Sequence, residues 1–402
     1  GVTDSSPAFT KAISALLALS DGTPRTDGTK SLGGAVLDLA GGVYSVSASV
    51  GVPYGYSDFS ISNGAIVAAA SFPSDGVVVQ IGAGSTPKPG PYGIPFTTLD
   101  VEMTNVFING SGHAFGALSV SNTLYADVSS VFLTGYTGIG AAFNGTGGSY
   151  LRDSWLGEHD PHFKNRTEVT STGVYLASKE HDCMLDSLVI YSGRTGVLSQ
   201  NGGNLINAVH VWNLAAAEGG EGIVAYKGAQ VTNCYLDTTP LVLLDPRATI
   251  VTGNLFLNSA TVVLSAQKLW EDSIATIDGL VITGNRFSGS NTSVVLDTTA
   301  ALFAWMADTD IQGNSYGPDN HPRSTIARHT APIDGSHLVM NFTDALALPM
   351  PITEVQCTVG GSYPVPIAAA IDYQSVNVTT GDAVGGTITC TVSQNNRTSM
   401  AL

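Results

Sequence analysis

Four segments of this chain align without gaps and decide its fold: LDSLVIY (185–191), INAVHVW (206–212), VTNCYLD (231–237) and VTGNLFL (251–257). Their first and sixth columns are apolar throughout, which is typical of side chains that point into a core. The fifth column contains Val189, His210, Tyr235 and Leu255, and the seventh contains Tyr191, Trp212, Asp237 and Leu257. We expect the fifth and seventh columns to point outward, so that aromatic and titratable groups gather on one surface.

The alignment predicts a stacked coil of strands. Each segment is short, rich in Val, Ile and Leu, and bounded by Gly, Asn and Thr, a pattern that favours strands over helices. Units that cannot bury their own apolar face must stack on their neighbours, so a fixed period indicates a solenoid. Two more segments, ITGNRFS (282–288) and IQGNSYG (311–317), continue the register. They bring three asparagines, each preceded by Gly, into one inward column: Asn254, Asn285 and Asn314.

Asparagine ladders at a glycine-assisted bend are typical of parallel β-helices, because stacked carboxamides bond from coil to coil. We therefore predict an all-β chain, built as a parallel β-helix over residues 1–332. The opening stretch, with apolar residues at helical spacing, predicts a short helix that caps one end of the coil: Phe9, Ile13, Leu16 and Leu17. Residues 333–402 contain alternating segments that predict a small antiparallel β unit at the other end.

The composition disfavours two classes of partner. The 402-residue chain has 16 basic and 32 acidic side chains, a formal net charge of -16 and a pI near 4.6. Such a charge disfavours nucleic acid and anionic membranes. The sequence has no apolar run long enough to span a bilayer. We predict neither nucleic-acid binding nor membrane insertion, we assign no cofactor, and the composition leaves the oligomeric state open.

Cysteines and sequons indicate a secreted protein. We predict a disulfide between Cys357 and Cys390, which flank strands of the terminal unit, and a second bridge between Cys183 and Cys234 is an open alternative. Seven sequons predict N-glycosylation of a eukaryotic protein of the cell wall or extracellular matrix: Asn109, Asn144, Asn165, Asn291, Asn341, Asn377 and Asn396. Because Gly1 begins partway into a motif, we expect that processing has removed the start.

Earlier segments extend the outward fifth column. MTNVFIN (103–109), VSSVFLT (128–134) and LRDSWLG (151–157) add Phe107, Phe132 and Trp155 to it. A line of aromatic rings on a strand face is either a cover for a packed loop or a platform for sugar rings. Beside it, residues 158–171 form the most charged insertion in the chain, and long excursions from a regular scaffold often carry function.

The order of these segments also carries a resemblance to a known family. SWLGEHD, STGVYL, VIYSGRTGVLSQNGGNLINAVHVWN, TGNLFLNSATVVLS and NFTDALALPMPITEVQC resemble the divergent, quartet-type plant polygalacturonases, and GVTDSSPAF resembles the start of the wider pectate-lyase-like superfamily. The resemblance implies a right-handed parallel β-helix that acts on a galacturonan-like polysaccharide. However, the Asn-Thr-Asp, Asp-Asp, Gly-His-Gly and Arg-Ile-Lys motifs of ordinary polygalacturonases do not occur in this sequence. The catalytic acid and base of those enzymes therefore cannot be carried over by position.

The candidate carboxylates come from the residues themselves. Glycoside hydrolysis needs two carboxylates that flank the scissile bond, and strands of adjacent coils lie roughly 4.8 Å apart. Asp237, in the seventh column, is the first candidate, and Glu221, with Glu218, lies in a loop that leaves the strand after Trp212. As structural alternatives, Asp237 caps a turn and the two glutamates are solvated loop acids. Asp245, before Pro246, is a turn former first and a catalyst second.

Other residues complete the predicted site. His210 lies next to Tyr235 on the following coil, where it would orient a carboxylate or donate to substrate, although a lone histidine on a strand is more often structural. Glu158, His159, Asp160 and His162 form a cluster whose spacing fits no strong metal signature, so we assign no metal. Arg286 is one of the few cations near the face. The predicted substrate contacts are Trp155, Glu158, His159, Tyr191, Arg194, Trp212, Tyr235 and Lys227.

Three functions remain open at this point. The first is a secreted glycoside hydrolase of the polygalacturonase type, with Asp237 and Glu221 as acid and base. The second is a lyase on a uronate-containing glycan, in which Tyr235, His210 or Lys227 removes a proton. The third is a non-catalytic extracellular rod that supports structure or binds glycans.

Overall fold

A computed structural model describes residues 3–20, 22–23, 25, 28–84, 98–158, 170–177, 181–212, 219–267, 275–289, 292–360 and 366–394. The chain divides into two units, Gly1–Leu241 and Val242–Leu402. The predicted domain boundary after residue 332 stays a prediction. Several predicted residues lie outside the described ranges: His159, Asp160, His162, Asn165, Glu218, Asn291 and Asn396.

In the described residues of the first unit the chain forms one helix and eighteen strands. They are α1 (Ser6–Leu17), β1 (Lys30–Asp38), β2 (Val43–Val46), β3 (Val50–Pro53), β4 (Tyr56–Ala68), β5 (Val77–Ala83), β6 (Thr98–Asn109), β7 (Gly116–Ser121), β8 (Thr123–Ser129), β9 (Phe132–Thr134), β10 (Ile139–Asn144), β11 (Tyr150–Gly157), β12 (Thr172–Leu176), β13 (Met184–Tyr191), β14 (Thr195–Ser199), β15 (Leu205–Trp212), β16 (Glu221–Tyr226), β17 (Gln230–Thr232) and β18 (Tyr235–Asp237).

These strands stack into two parallel sheets, and each coil contributes to both. In the first sheet β11 pairs with β13 and β13 with β15, and β15 pairs with both β17 and β18. In the second sheet the order runs β3, β5, β7, β10, β12, β14 and β16. The crossover connection between two parallel strands is right-handed in nearly all proteins. The predicted all-β, right-handed parallel β-helix is therefore confirmed.

The columns of the sequence alignment correspond to equivalent positions in successive coils. The first and sixth columns are buried, with Leu185, Ile206, Val211 and Leu236 all 1% exposed or less. The third column bends the chain through left-handed backbone, with φ between 51° and 55° at six successive coils: Asn105, Ser130, Asp153, Ser187, Ala208 and Asn233. A residue with a Cβ atom pays roughly 1–2 kcal/mol in this region. The coil therefore imposes the bend, and the residues that adopt it are small or polar.

The predicted helical cap is present and is held by its first turn. Phe9, Ile13 and Leu16 of α1 are buried, and the Phe9 ring meets the Tyr44 ring edge-on with centroids 5.4 Å apart. The Asp4 carboxylate accepts hydrogen bonds from the Ser47 hydroxyl (2.7 Å) and the Ser6 amide (3.0 Å). These bonds, that of the Ser47 hydroxyl most strongly, lower the pKa of Asp4.

The second unit has both parallel and antiparallel strands. They are β19 (Leu241–Leu244), which begins at the last residue of the first unit, β20 (Ile250–Thr252), β21 (Leu255–Asn258), β22 (Val262–Ser265), β23 (Thr276–Asp278), β24 (Val281–Thr283), β25 (Arg286–Gly289), β26 (Val294–Asp297), β27 (Trp305–Ala307), β28 (Asp310–Gln312), β29 (Ser315–Tyr316), β30 (Ile326–Asn341), β31 (Glu354–Val359), β32 (Ile367–Ala370) and β33 (Ser375–Ser393). Parallel pairs run from β20 to β24 to β28 and from β21 to β25 to β29.

The asparagine ladder predicted from the sequence is confirmed in this unit. The side-chain oxygen of Asn285 accepts from the Asn254 amide (3.0 Å) and side-chain nitrogen (2.9 Å), and Asn314 accepts the equivalent pair from Asn285 at 3.0 Å each. Glycine precedes each asparagine at the left-handed bend, with φ of 70°, 68° and 65° at Gly253, Gly284 and Gly313.

The last described strands form the predicted antiparallel sheet. β33 pairs with β30 along one side, and with β31 and β32 along the other. The predicted disulfide joins Cys357 and Cys390, which are directly opposed on β31 and β33. The core beneath includes Met340, Phe342 and Val378.

Two further observations concern the whole described chain. Cys183 and Cys234 are buried and form no disulfide, so the alternative of a second disulfide is wrong. The two residues lie two coils apart and in different columns, so their Cα atoms are separated by more than roughly 10 Å at the usual strand spacing, whereas a disulfide requires Cα atoms within about 7 Å. In the described residues no helix has the length and apolar character needed to cross a bilayer.

Candidate functional site

The fifth column forms one continuous row in the first unit, as the alignment predicts. Strand register pairs its six members in succession, and we call them the fifth-column row: Phe107, Phe132, Trp155, Val189, His210 and Tyr235. At the usual strand spacing the row spans roughly 24 Å. The rings of Phe132 and Trp155 stack with centroids 6.3 Å apart and planes 10° apart, and Trp155 is 49% exposed. The row therefore offers flat aromatic surface along several coils.

His210 and Tyr235 end the row as an edge-on pair. Their ring centroids are 4.3 Å apart and their planes are at 90°. Burial lowers the pKa of His210, and the Asp237 carboxylate opposes that shift. The imidazole is therefore biased towards its neutral form, which can accept a proton or a hydrogen bond.

The seventh column brings Asp237 beside Trp212 but does not expose Tyr191. Asp237 ends β18 directly opposite Trp212, whose side chain is 42% exposed. Tyr191 precedes Trp212 in the same column and is only 3% exposed. Its ring lies over Gly157, where an added Cβ atom would come within 2.1 Å of it. The prediction that Tyr191 points outward is wrong. Because Gly157 has no side chain, the Tyr191 ring packs against its backbone.

Asp237 and Glu221 flank the same corner of the coil. Glu221 begins β16, reached through residues 213–220 from Trp212, and the turn after Asp237 lies against β16. The amide of Gly222 donates to the Pro240 carbonyl at 2.9 Å. A Cβ atom at Gly222 would lie 2.7 Å from the Thr239 hydroxyl, so this close approach requires glycine. The two candidate carboxylates therefore belong to adjacent coils at one edge, which we call the acidic corner.

The acidic corner gives Glu221 an unusual environment. Burial raises the pKa of the Glu221 carboxyl, and the charge of the exposed Arg194 partly opposes the shift. The backbone holds the two together, since the Glu221 amide donates to the Arg194 carbonyl at 2.9 Å and Glu221 pairs in register with Thr195. A carboxyl with a raised pKa keeps its proton to higher pH, which suits a general acid.

Glu158 lies deeper than the sequence predicts. It is 3% exposed, and the Ser171 hydroxyl donates to its carboxylate at 2.6 Å. Burial, then the charges of Glu158 and Tyr191, raise the pKa of the fully buried Tyr136. Tyr136 and Ser171 were missed by the sequence argument. The usable signal was their position just outside the aligned columns, where the chain turns from one sheet to the next.

Three predicted residues, Lys227, Asp245 and Arg286, have the following positions. Lys227 follows the far end of β16, roughly 20 Å of strand from Glu221, and its Nζ atom lies over the Tyr226 ring. In the second unit, Asp245 is 2% exposed and accepts from the Thr276 hydroxyl (2.7 Å) and from Arg247 (2.6 Å). These bonds hold a turn. Arg286 takes a fifth-column position in that unit, between Leu255 and Ser315.

Four predicted glycosylation sites fall in the described ranges. Asn144 and Asn341 are exposed, whereas Asn109 and Asn377 are half-buried. Their occupancy stays a prediction. Among the described residues, no three His, Cys, Asp or Glu side chains are grouped so that they could hold a metal ion.

Comparison with known proteins supports the resemblance stated above. No protein-family model matches the chain. The chain is 29% identical over 381 residues to "Polygalacturonase QRT3" of Arabidopsis thaliana, an alignment that covers 91% of this chain and 76% of the relative. The predicted resemblance to quartet-type plant polygalacturonases is therefore confirmed.

Solved structures with little sequence identity share the fold. ORF18 of Geobacillus virus E2 superimposes with a TM-score of 0.59 at 13% identity, covering 96% of this chain and 74% of that one. The tailspike protein gp49 of Pseudomonas phage LKA1 superimposes with a TM-score of 0.54 at 13% identity, covering 90% and 67%. The chain is thus a right-handed parallel β-helix protein whose sequence is similar to a plant polygalacturonase of the quartet type.

Proposed function

We propose that this protein is a secreted glycoside hydrolase of the polygalacturonase type that cleaves a cell-wall or extracellular polysaccharide. Its similarity to "Polygalacturonase QRT3" over 91% of the chain supports the class of activity. The fifth-column row supports a substrate that is a chain of sugar rings, because aromatic faces pack against the apolar faces of sugars. The single observation that carries the proposal is the acidic corner, where Asp237 and Glu221 lie on adjacent coils at one edge, at the end of that row.

In the proposed reaction the two carboxylates have separate roles. Glu221, whose pKa burial raises, donates its proton to the glycosidic oxygen as that bond breaks. Asp237 acts as the base that removes a proton from the attacking water. His210, in contact with Tyr235 and within reach of the Asp237 charge, orients that carboxylate. Arg194 is the cation best placed to meet a uronate carboxylate, and Trp155 and Trp212 offer exposed rings to neighbouring sugars.

Asp245 and Lys227 are not part of this mechanism. The Asp245 carboxylate already accepts bonds from Thr276 and Arg247, and Lys227 lies at the far end of β16. Tyr191 and Glu158 are buried, so neither is a proposed contact with substrate. The proposed substrate contacts at the surface are therefore Trp155, Arg194, Trp212 and Tyr235.

A lyase is the second candidate, and the His210–Tyr235 pair favours it. Burial biases His210 towards the neutral imidazole, which is competent to remove the proton beside a uronate carboxylate. A lyase leaves a 4,5 double bond in one product, whereas a hydrolase does not. The third candidate, a non-catalytic glycan-binding rod, is favoured by the missing polygalacturonase motifs.

One assay separates the three. Polygalacturonate is incubated with the protein while reducing ends and the absorbance of a new double bond are followed together. We expect reducing ends without the absorbance, and a loss of about 10²–10⁴-fold in rate for Asp237→Asn and Glu221→Gln. The exposed Asp278→Asn in the second unit is the matched control and keeps full activity. Double-bond absorbance would identify a lyase, and no product of either kind would identify a rod. Full activity in Asp237→Asn would reject the assigned base.

A further inference from the structure

The C-terminal antiparallel sheet has one face turned away from its own core. Side chains alternate along β33, and Val376 and Val378 are fully buried while Asn377 between them is not. Register places Asn377 opposite Val339 on β30 and opposite Ala369 on β32. Asn377 therefore stands in the middle of the outer face, with an apolar neighbour on each side.

That outer face carries exposed apolar side chains beside polar ones such as His337 and Thr379. Val339 is 53% exposed, Ile367 77% and Ile371 56%. Ile367 pairs with Thr379, and the Ile371 amide donates to the Ser375 carbonyl at 2.9 Å, so these side chains share the face of Asn377. We call Val339, Ile367, Ala369 and Ile371 the apolar face. Single exposed apolar residues are ordinary, but a contiguous group marks a surface that something covers.

The same face carries two of the sequons. Asn341 follows Val339 by two residues on β30 and pairs with Ser375, which precedes Asn377 by two residues on β33. Period-two alternation therefore puts both asparagines on the outer face. Asn341 is exposed, and its side-chain oxygen accepts from the amide (2.7 Å) and the hydroxyl (2.5 Å) of Thr343, the last residue of its own sequon. The amide oxygen of Asn377 is shielded from solvent. In both residues the side-chain nitrogen of the carboxamide is the atom to which a sugar would be attached.

We propose that Asn341 and Asn377 carry N-linked glycans whose first sugars lie over the apolar face. The donor is a lipid pyrophosphate-linked oligosaccharide. The bond between Nδ2 and the anomeric carbon of the sugar forms, the bond between that carbon and the pyrophosphate oxygen breaks, Nδ2 loses one proton, and the lipid pyrophosphate leaves. No oxidant or reductant takes part.

The position of β32 explains why a cover is needed. Among the described strands β32 pairs with β33 alone, so its other side is a sheet edge beside the most exposed apolar residue of the face, Ile367. An exposed apolar edge strand invites pairing with a second chain. A bulky, hydrophilic glycan on the adjacent strand at Asn377 blocks that approach and shields the apolar side chains. This inference does not depend on the proposed activity.

Occupancy is tested first on the full chain secreted from a eukaryotic host. Enzymatic removal of N-glycans in heavy-oxygen water converts each occupied asparagine to a labelled aspartate, which peptide mass spectrometry reads. We expect the label at both Asn341 and Asn377. An unmodified asparagine at either position overturns the proposal.

The covering role is tested on the folded protein, so that a folding defect cannot mimic the result. Glycans are removed enzymatically after purification, and binding of a hydrophobic dye and sedimentation are compared before and after. We expect dye binding to rise several-fold and dimers or larger species to form, and the variant Val339→Thr with Ile367→Ser to suppress both. Asn341→Gln with Asn377→Gln should behave like the deglycosylated protein, while Asn144→Gln, at an exposed sequon of the first unit, should behave like the parent. Unchanged dye binding and sedimentation after glycan removal overturn the proposal.

Discussion

The ring of His210 meets the ring of Tyr235 edge-on, with centroids 4.3 Å apart, at the point where the fifth-column row reaches the acidic corner. Burial lowers the pKa of this histidine and the Asp237 carboxylate opposes the shift, so His210 and Asp237 are electrostatically linked. This linkage can be measured without knowing the substrate.

Asp237→Asn should lower the pKa of His210 further, because it removes the negative charge that favours the imidazolium. An NMR pH titration of the histidine ring protons gives the value, with His210→Gln to assign the signal. Asp278→Asn, in the second unit, should leave the pKa of His210 unchanged. A His210 pKa that rises or stays constant in Asp237→Asn would contradict the arrangement.

Arg194→Gln should move the alkaline limb of the activity profile to higher pH. The proposed acid must be protonated, so activity falls as pH rises through the pKa of Glu221. Arg194 lowers that pKa, and its removal therefore raises it. The profile of kcat/KM against pH is the measurement. The exposed Arg152, whose guanidinium bonds to Asp127 at 2.9 Å, supplies the matched control Arg152→Gln. A limb that moves to lower pH, or moves equally in both variants, would exclude Glu221 as the acid.

Glu221→Gln should stabilise the protein above the ordinary pKa of a glutamate and have little effect below it. The folded state raises the pKa of Glu221, so its protonated form is favoured there, and stability is lost as pH rises through that raised value. The amide cannot ionise and escapes this loss. The Tm of the variant should match that of the parent near about pH 4 and exceed it near about pH 7. A lower Tm at the higher pH would show that ionised Glu221 is stabilising.

Trp155→Ala should weaken polysaccharide binding about tenfold, since loss of one aromatic contact costs about 1–1.5 kcal/mol. Retardation in a gel that contains polygalacturonate measures the affinity. Trp305→Ala is the control, because Trp305 is 38% exposed but lies in the second unit outside the fifth-column row. Equal retardation of both variants would mean that the row covers protein and does not bind sugars.

Asn285→Ala should destabilise the second unit by about 2–4 kcal/mol, because it leaves buried amide groups of the ladder without partners. The lost bonds include those to Asn254, Asn314 and the Val251 carbonyl. Denaturant unfolding gives the difference, and the exposed Ser288→Ala should stay within about 0.5 kcal/mol of the parent. A change in the free energy of unfolding below about 1 kcal/mol would mean that water satisfies the amide groups of the ladder without loss of stability.

Much of the fold follows from the sequence because the repeat fixes register. The inward columns, the fifth-column row and the asparagine ladder all depend on residues that recur at one position in successive coils. Glu158 and Tyr191 were misplaced for a different reason. Each is buried by contacts outside the repeat, Glu158 with Ser171 thirteen residues later and Tyr191 with the bare backbone of Gly157. A pattern within one segment carries no information on such contacts.

The candidate site could be predicted only in outline. The sequence brought Asp237, His210 and Tyr235 together, since all three occupy aligned columns. It did not separate Glu221 from Lys227, which are close in sequence but begin and follow the same strand. Nor did it reveal that Asp245 is held by Thr276, a contact between coils that no local pattern records.

The left-handed bend at the third column has a consequence for how such chains can change over generations. It recurs at Ser187, Ala208 and Asn233, so each coil repeats the same step. The connector between strands of the two sheets, in contrast, is three residues long between β13 and β14 and fourteen residues long between β11 and β12. A connector can lengthen or change composition without disturbing its neighbours, because it lies outside the step. Ancestral and descendant proteins can thus exchange connectors and acquire different targets on an unchanged frame, whereas an insertion within the step shifts every contact of that coil.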